Sequence, residues 1–223
     1  LNNRIDGSWS AVPGKLDVNS YLIGTYGTYD LGHAMSLDMR LDVGLNRNDT
    51  RRTIQFMGTT ASSDYDSYSA HAGVGVRRTL AFGDKALLTP SLRLDYLQIN
   101  ADAYAESGAG ALDLRVNSQL YQELMMTADL KVDYALTDSV ALTMQGGVGY
   151  NLLDNDTRIT ATYAGGGSFA TYGPDVSPWL FSAGAGLVGH SDNDMSLGIH
   201  YNIQASPTGY LNQTGSVVLK MRI

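Results

Sequence analysis

Asp38 and Asp42 stand four residues apart, and so do Asp129 and Asp133, with Lys131 between the second pair. Carboxylates spaced like this can divide general-acid and general-base work when the fold brings them to one site. Their other use is plainer: alternating acidic and basic residues pair across strands and line a wet interior. His71 and His200 lie on separate segments, and neither belongs to a cluster with metal-ligand spacing. Asp154-Asn155-Asp156 begins like a calcium loop but lacks the glycine and the distal glutamate of one, so it reads as a polar turn, as does Asp192-Asn193-Asp194. Cysteine is absent, which removes thiol nucleophiles, disulfides, Cys-ligated zinc and iron–sulfur clusters. No Gly-x-Ser-x-Gly elbow occurs. The 25 glycines alternate within apolar segments instead of forming a phosphate loop. No enzymatic chemistry and no cofactor is expected.

The elements that carry these residues have a period of two. Met35, Leu37, Met39, Leu41, Val43 and Leu45 alternate with Ser36, Asp38, Arg40, Asp42, Gly44 and Asn46. Successive side chains of a β-strand point to opposite faces, so this segment is a strand with one apolar and one polar face. The same alternation recurs at 68–77, 91–96, 112–117, 126–134, 142–150, 181–187, 195–204 and 217–223, and from Leu112 to Leu136 it reads as one long strand. The polar faces carry Asp38, Arg40 and Asp42; Arg93 and Asp95; Asp113 and Arg115; and Asp129, Lys131 and Asp133. Ordinary strands run about 5–6 residues, so strands of twice that length need a very large sheet or a membrane.

Short turns at 30–33, 82–85, 136–139 and 191–194 recur every 50–55 residues or so. Longer polar stretches near 46–66, 102–110, 154–178 and 205–212 lie between them. Tight turns at one end and long loops at the other are the asymmetry of outer-membrane barrels. The pattern predicts an all-β fold, a transmembrane antiparallel up-and-down barrel, as one domain over residues 1–223. Nine strands fall in 19–223, and residues 1–18 are expected as an extracellular loop. An open nine-stranded sheet leaves unpaired edges in lipid, so strands upstream, residues 1–18 or another chain are expected to complete the wall. Aromatic residues collect near strand ends, as interfacial girdles require. The net charge of −7 argues against a nucleic-acid partner. A soluble all-β binding module shares the alternation and stays open at this point.

Two segments narrow the choice. Leu88-Thr89-Pro90-Ser91-Leu92-Arg93-Leu94-Asp95-Tyr96, followed by Tyr104-Ala105-Glu106-Ser107-Gly108-Ala109-Gly110 and the run to Val116, resembles the middle of the autotransporter β-domain, the translocator of type V secretion. Ser20-Tyr21 with Gly24–Tyr29, and Asn48–Arg51 with Ile54 and Phe56, are similar to its earlier strands. The resemblance implies a 12-stranded barrel in a Gram-negative outer membrane, with a helix threaded through the pore. By strand direction the first strand here would be the family's fourth. A rival alignment takes Leu1–Asp6 as the cleaved pore-helix junction.

The implied partners are outer-membrane lipid and lipopolysaccharide, the barrel-assembly machinery and an N-terminal passenger. Arg51-Arg52 could touch lipopolysaccharide phosphates, but a solvated loop is the plainer reading. Val217, Leu219, Met221 and Ile223 would be the terminal insertion strand, although the family usually closes on Phe or Trp. Another outer-membrane barrel, a rim protease or a small channel, is the alternative.

Overall fold

A computed structural model describes residues 2–9, 12–153, 158–173, 176–191 and 195–221. Ten strands follow one another in a single antiparallel path: β1 (Asn2–Trp9), β2 (Val12–Gly32), β3 (Met35–Ile54), β4 (Thr59–Arg78), β6 (Ala86–Ala101), β9 (Gln119–Ala135), β10 (Val140–Asn151), β13 (Trp179–Ser191), β14 (Met195–Ala205) and β15 (Leu211–Met221). The three-residue β5 (Leu80–Phe82) pairs with β6 beside this path. The sheet curls into half a barrel. Pro90 lies inside β6 opposite Leu130 of β9. It is tolerated because pairing with β4 begins one residue later, at Ser91, so no ladder bond is lost on that side.

Directly paired residues share a face, and the two faces differ sharply. Leu41, Val43, Leu130, Leu187, Ile199 and Val217 are all exposed on one side. On the other side Asp42, His71 and Asp95 have side chains only 11–22% exposed despite their polarity. Curvature explains the inversion: side chains on the concave face crowd together, and those on the convex face splay apart. An apolar convex face around a polar concave one is the reverse of a soluble sandwich and suits lipid outside and water inside.

Aromatic residues measure the apolar band. Tyr29, Phe82 and Tyr134 stand exposed near the short turns. The second girdle lies ten residues up the strands, with Tyr96 on β6, Tyr150 on β10 and Phe181 on β13; Tyr21 and Tyr68 flank Leu45 on β3 at that level. Ten residues at ~3.3 Å, tilted by ~40°, rise about 25 Å, the height of the outward apolar band of such barrels. Trp179 joins the upper girdle, its ring 4.8 Å from Tyr150 and edge-on.

The long-loop end departs from expectation. Residues 12–18 continue β2 and residues 2–9 pair with it as β1, so the segment expected as a loop is a β-hairpin. The stretch expected as a loop near 46–66 is likewise extended hairpin, β3 and β4 running on to a tight tip at Gln55–Met57 and Gly58. The 205–212 stretch is a short turn closed by Ser206 N–H on the Tyr210 carbonyl at 3.0 Å. Alternation fixes which face a residue occupies and not where the strand ends, and all three stretches keep β-compatible residues beyond the membrane.

One further expectation is corrected. Residues 112–118 are not the start of a wall strand. Gly108 and Gly110 have φ of 110° and 63°, and the chain makes a one-turn 3-10 helix at Gly110–Leu112. β7 (Tyr104–Ala105), β8 (Leu114–Val116), β11 (Arg158–Tyr163) and β12 (Ser168–Tyr172) then form a separate four-stranded sheet in the order β12-β11-β8-β7. The period-two pattern of 112–116 is real, but it belongs to the second sheet, and the chain leaves it at Asn117-Ser118 before β9 begins at Gln119.

Candidate functional site

The concave face holds the polar side chains, and its charges are arranged strand by strand. Asp38 on β3 accepts a hydrogen bond from Thr28 Oγ1 at 2.6 Å and pairs with Arg77 Nη1 at 2.9 Å. Arg40 Nε donates to Asp42 Oδ2 at 2.6 Å. Arg93 Nε and Nη2 donate to the two oxygens of Asp95 at 2.6 and 2.7 Å. Between these two pairs lies His71 on β4, with Nδ1 2.9 Å from Asp42 Oδ2 and Nε2 2.9 Å from Asp95 Oδ1. The result is a charge ladder across β3, β4 and β6. Solvated pairs of this kind each contribute little, so the ladder orders the wall more than it stabilises it.

Space for the ladder comes from glycine on the neighbouring strand. A Cβ at Gly73 would fall on the Arg93 guanidinium and the Asp95 carboxylate. A Cβ at Gly147 would fall on the Asp129 carboxylate. These positions exclude a side chain because a polar one from the next strand lies across them.

The other half of the wall is built differently. Lys131 pairs with Asp133 at 2.9 Å, and Thr143 Oγ1 donates to Asp133 at 2.7 Å. Beyond β9, the strands β10, β13 and β14 contain no Asp, Glu, Lys or Arg at all. Their concave face is amide and hydroxyl, with Gln145 Nε2 donating to Asn202 Oδ1 at 2.7 Å. A cavity of about 390 Å³ opens here, lined by Thr127, Asp129, Gln145, Ser182, Asn202 and Thr214 among others.

Asp38, Arg40, Asp42, Arg93, Asp95, Asp129, Lys131 and Asp133 therefore share one concave surface. Asp113 and Arg115 do not. Asp113 Oδ1 accepts the Ala109 N–H at 2.7 Å in the outer loop, and Arg115 belongs to β8 of the small sheet. Val217 and Leu219 stand exposed on the convex face of β15, and Met221 pairs with Met195 in the backbone ladder. Ile223 lies outside the described residues, as do Asp154-Asn155-Asp156 and Asp192-Asn193-Asp194.

A second polar centre at the long-loop end escaped the period-two reading. Arg52 Nε donates to Glu106 Oε1 at 3.0 Å, Arg52 Nη2 donates to Glu106 Oε2 and, at 2.9 Å, to the Leu112 carbonyl. Leu114 N–H adds a third bond to Glu106, at 2.9 Å. The Glu106 side chain is 7% exposed, and its hydrogen bond raises the Arg52 pKa above the ordinary value. Tyr104 stacks on Tyr65 at 4.4 Å, and burial pushes the Tyr104 phenol up to about 12. Below them Ile54, Ala61 and Ala109 form a small buried apolar cluster with Leu112 against it. The signal was the Tyr104-x-Glu106-x-Gly108 spacing, but nothing local shows that Glu106 folds back onto Arg52. Arg52 is thereby turned inward, and of the two adjacent arginines Arg51 alone faces outward, beside Asp49 at 3.5 Å.

Among the described residues no group of three or more His, Asp or Glu is arranged to hold a metal ion. The concave surface offers hydrogen-bond donors and acceptors along a passage.

Comparison with known proteins gives a consistent result. The sequence model of the autotransporter beta-domain matches residues 2–202. The putative surface-exposed virulence protein BigA of Salmonella typhimurium is 27% identical over 176 residues, 73% of this chain and 9% of that protein. The chain thus spans less than a tenth of that relative. The translocator domain of the autotransporter NalP from Neisseria meningitidis superposes with a TM-score of 0.70 at 23% identity, over 97% of this chain and 70% of that one. The β domain of the Bordetella autotransporter BrkA gives 0.54 at 14% identity, over 98% and 86%. At these identities the two structures speak for the fold.

Proposed function

The chain belongs to the autotransporter β-domain family, an outer-membrane translocator barrel of Gram-negative bacteria, and from that premise we propose how its wall serves the transport of an N-terminal passenger. The observation that carries the reading is the pair of faces: an apolar convex surface with girdles about 25 Å apart and a polar concave surface in register with it. The convex face solvates the barrel in lipid. The concave face gives an extended polypeptide a wet passage whose mixed charges avoid trapping it by one sign.

Residues 1–223 form one barrel domain in this reading. The hairpin of β1 with the outer part of β2 rises about as far outside the membrane as the β3–β4 tip. The membrane part of the path, from the inner part of β2 to β15, ends in two strand edges, and an unpaired backbone group in lipid costs several kcal/mol. Further strands therefore complete a wall of twelve. β15, with Val217 and Leu219 facing lipid, is the strand presented to the barrel-assembly machinery. Arg51 is the outward cation within reach of lipopolysaccharide phosphates.

Heat-modifiable gel migration of the full-length protein in detergent tests the reading. A folded barrel migrates anomalously until boiled, and surface exposure of the passenger accompanies it in cells. Identical migration before and after boiling would refute it.

A further inference from the structure

We propose that the translocated polypeptide tracks along the β9–β15 half of the concave wall, and that Glu123 and Asp129 there take its basic side chains. The inference rests on the translocator reading and names which surface of the passage does the work.

Charge balance carries the argument. On β3, β4 and β6 the concave carboxylates Asp38, Asp42 and Asp95 each have an arginine within 2.9 Å. Their acceptor capacity is used inside the wall. On β9, Asp133 is matched by Lys131. Asp129 and Glu123 are not matched: among the described residues Asp129 accepts only from Ser182 Oγ, at 3.3 Å, and Glu123 only from Tyr121 OH, at 2.7 Å. Both side chains point to the concave side, six residues apart on one strand, so they stand roughly 20 Å apart along the strand.

The surroundings fit a polypeptide. The 390 Å³ cavity beside Asp129 is walled by Thr127, Gln145, Ser182, Asn202 and Thr214, side chains that donate and accept equally and match main-chain amides of any sequence. The adjacent strands β10, β13 and β14 carry no charge that would compete for the ligand. A carboxylate that bonds only neutral hydroxyls keeps lone pairs for a charge-assisted bond from lysine or arginine. The chemistry therefore selects an extended segment bearing Lys or Arg at about 20 Å spacing, or a single basic residue handed from one carboxylate to the next. An acidic segment would be repelled on this side and gain nothing on the other.

The test is photocrosslinking in cells expressing the full-length protein, with a benzophenone amino acid placed at Gln145 or Thr214 on one half and at Thr28 or Ser69 on the other. Crosslinks to the upstream chain are expected from Gln145 and Thr214 at about tenfold the yield from Thr28 and Ser69, the ratio a single charge-assisted hydrogen bond supports. Asp129→Asn with Glu123→Gln should remove that preference, and Asp129→Glu should keep it. A second arm leaves the wall untouched and replaces the Lys and Arg residues of the crosslinked segment by Glu. It should also abolish the preference, and it keeps the test decisive where the wall variants fold poorly. Equal yields from the two halves, or a preference untouched by both sets of variants, overturns the proposal. Normal passenger exposure with equal yields sinks this inference alone; loss of heat-modifiable folding and of exposure in the unsubstituted protein sinks the translocator reading beneath it.

Discussion

Arginine at Leu130 should destabilise the barrel more than arginine at Leu197, although both leucines lie on the convex face at nearly equal exposure, 46% and 49%. Depth makes the difference. Leu130 is five residues above the inner end of β9 at Ala135, which is ~17 Å along the strand and ~13 Å along the barrel axis at ~40° tilt. That is the middle of a band about 25 Å high. Leu197 is two residues above the inner end of β14 at Met195, ~5 Å up the axis and within reach of the interface. Arginine at the midplane costs about 2–4 kcal/mol and near the interface about 0–1. Leu41, six residues above Met35, should behave like Leu130. The assay is urea unfolding of the full-length protein in detergent or bilayers, with the folded fraction read from heat-modifiable migration. Equal losses at Leu130 and Leu197 would refute the depth argument. A harmless Leu130→Arg beside a ruinous Asn202→Arg would show that the inner and outer faces are exchanged.

Arg52→Ala should loosen the outer cap. It leaves the nearly buried Glu106 without its guanidinium, a loss of about 2 kcal/mol after discounting the buried-pair value for the partial exposure of Arg52, and hydrogen exchange across 104–116 should rise while the wall stays protected. The Tyr65–Tyr104 stack should fail in alkali. Because burial raises the Tyr104 pKa from about 10 to about 12, its contribution is complete below pH ~10 and lost as pH rises toward 12, and Tyr104→Phe should remove a late-titrating phenol from the tyrosinate absorbance. Ala34→Gly should stabilise the first inner turn by about 1 kcal/mol, since Ala34 is held at φ 58°, where a Cβ is strained; unchanged stability in urea would show that the strain is absorbed elsewhere.

Much of the wall could be read from residues alone because a β-strand has an exact side-chain period and a membrane barrel needs two unlike faces. Met35 to Leu45 needed nothing but alternation to be assigned a lipid face and a polar face. The long strands and the tight turns at Gly32 and Gly83 followed from the same pattern and its punctuation. Parity also put Asp38, Arg40, Asp42, Arg93, Asp95 and the β9 charges on one surface.

Partners were another matter. That His71 reaches Asp42 on one neighbour and Asp95 on the other depends on the register of three strands, and register comes from the assembled sheet. The same is true of Asp129, which has no cation beside it among the described residues because of the strands it lies between. The outer cap was hidden most completely. Alternation carried Asp113 and Arg115 onto the wall, but Asp113 lies in the outer loop and Arg115 pairs within a second sheet, and the contact of Glu106 with Arg52 joins residues 54 positions apart. Local chemistry settles which way a side chain points along an extended strand. Long-range packing alone settles which other side chain it meets there, because that contact exists only after separate segments have been brought together.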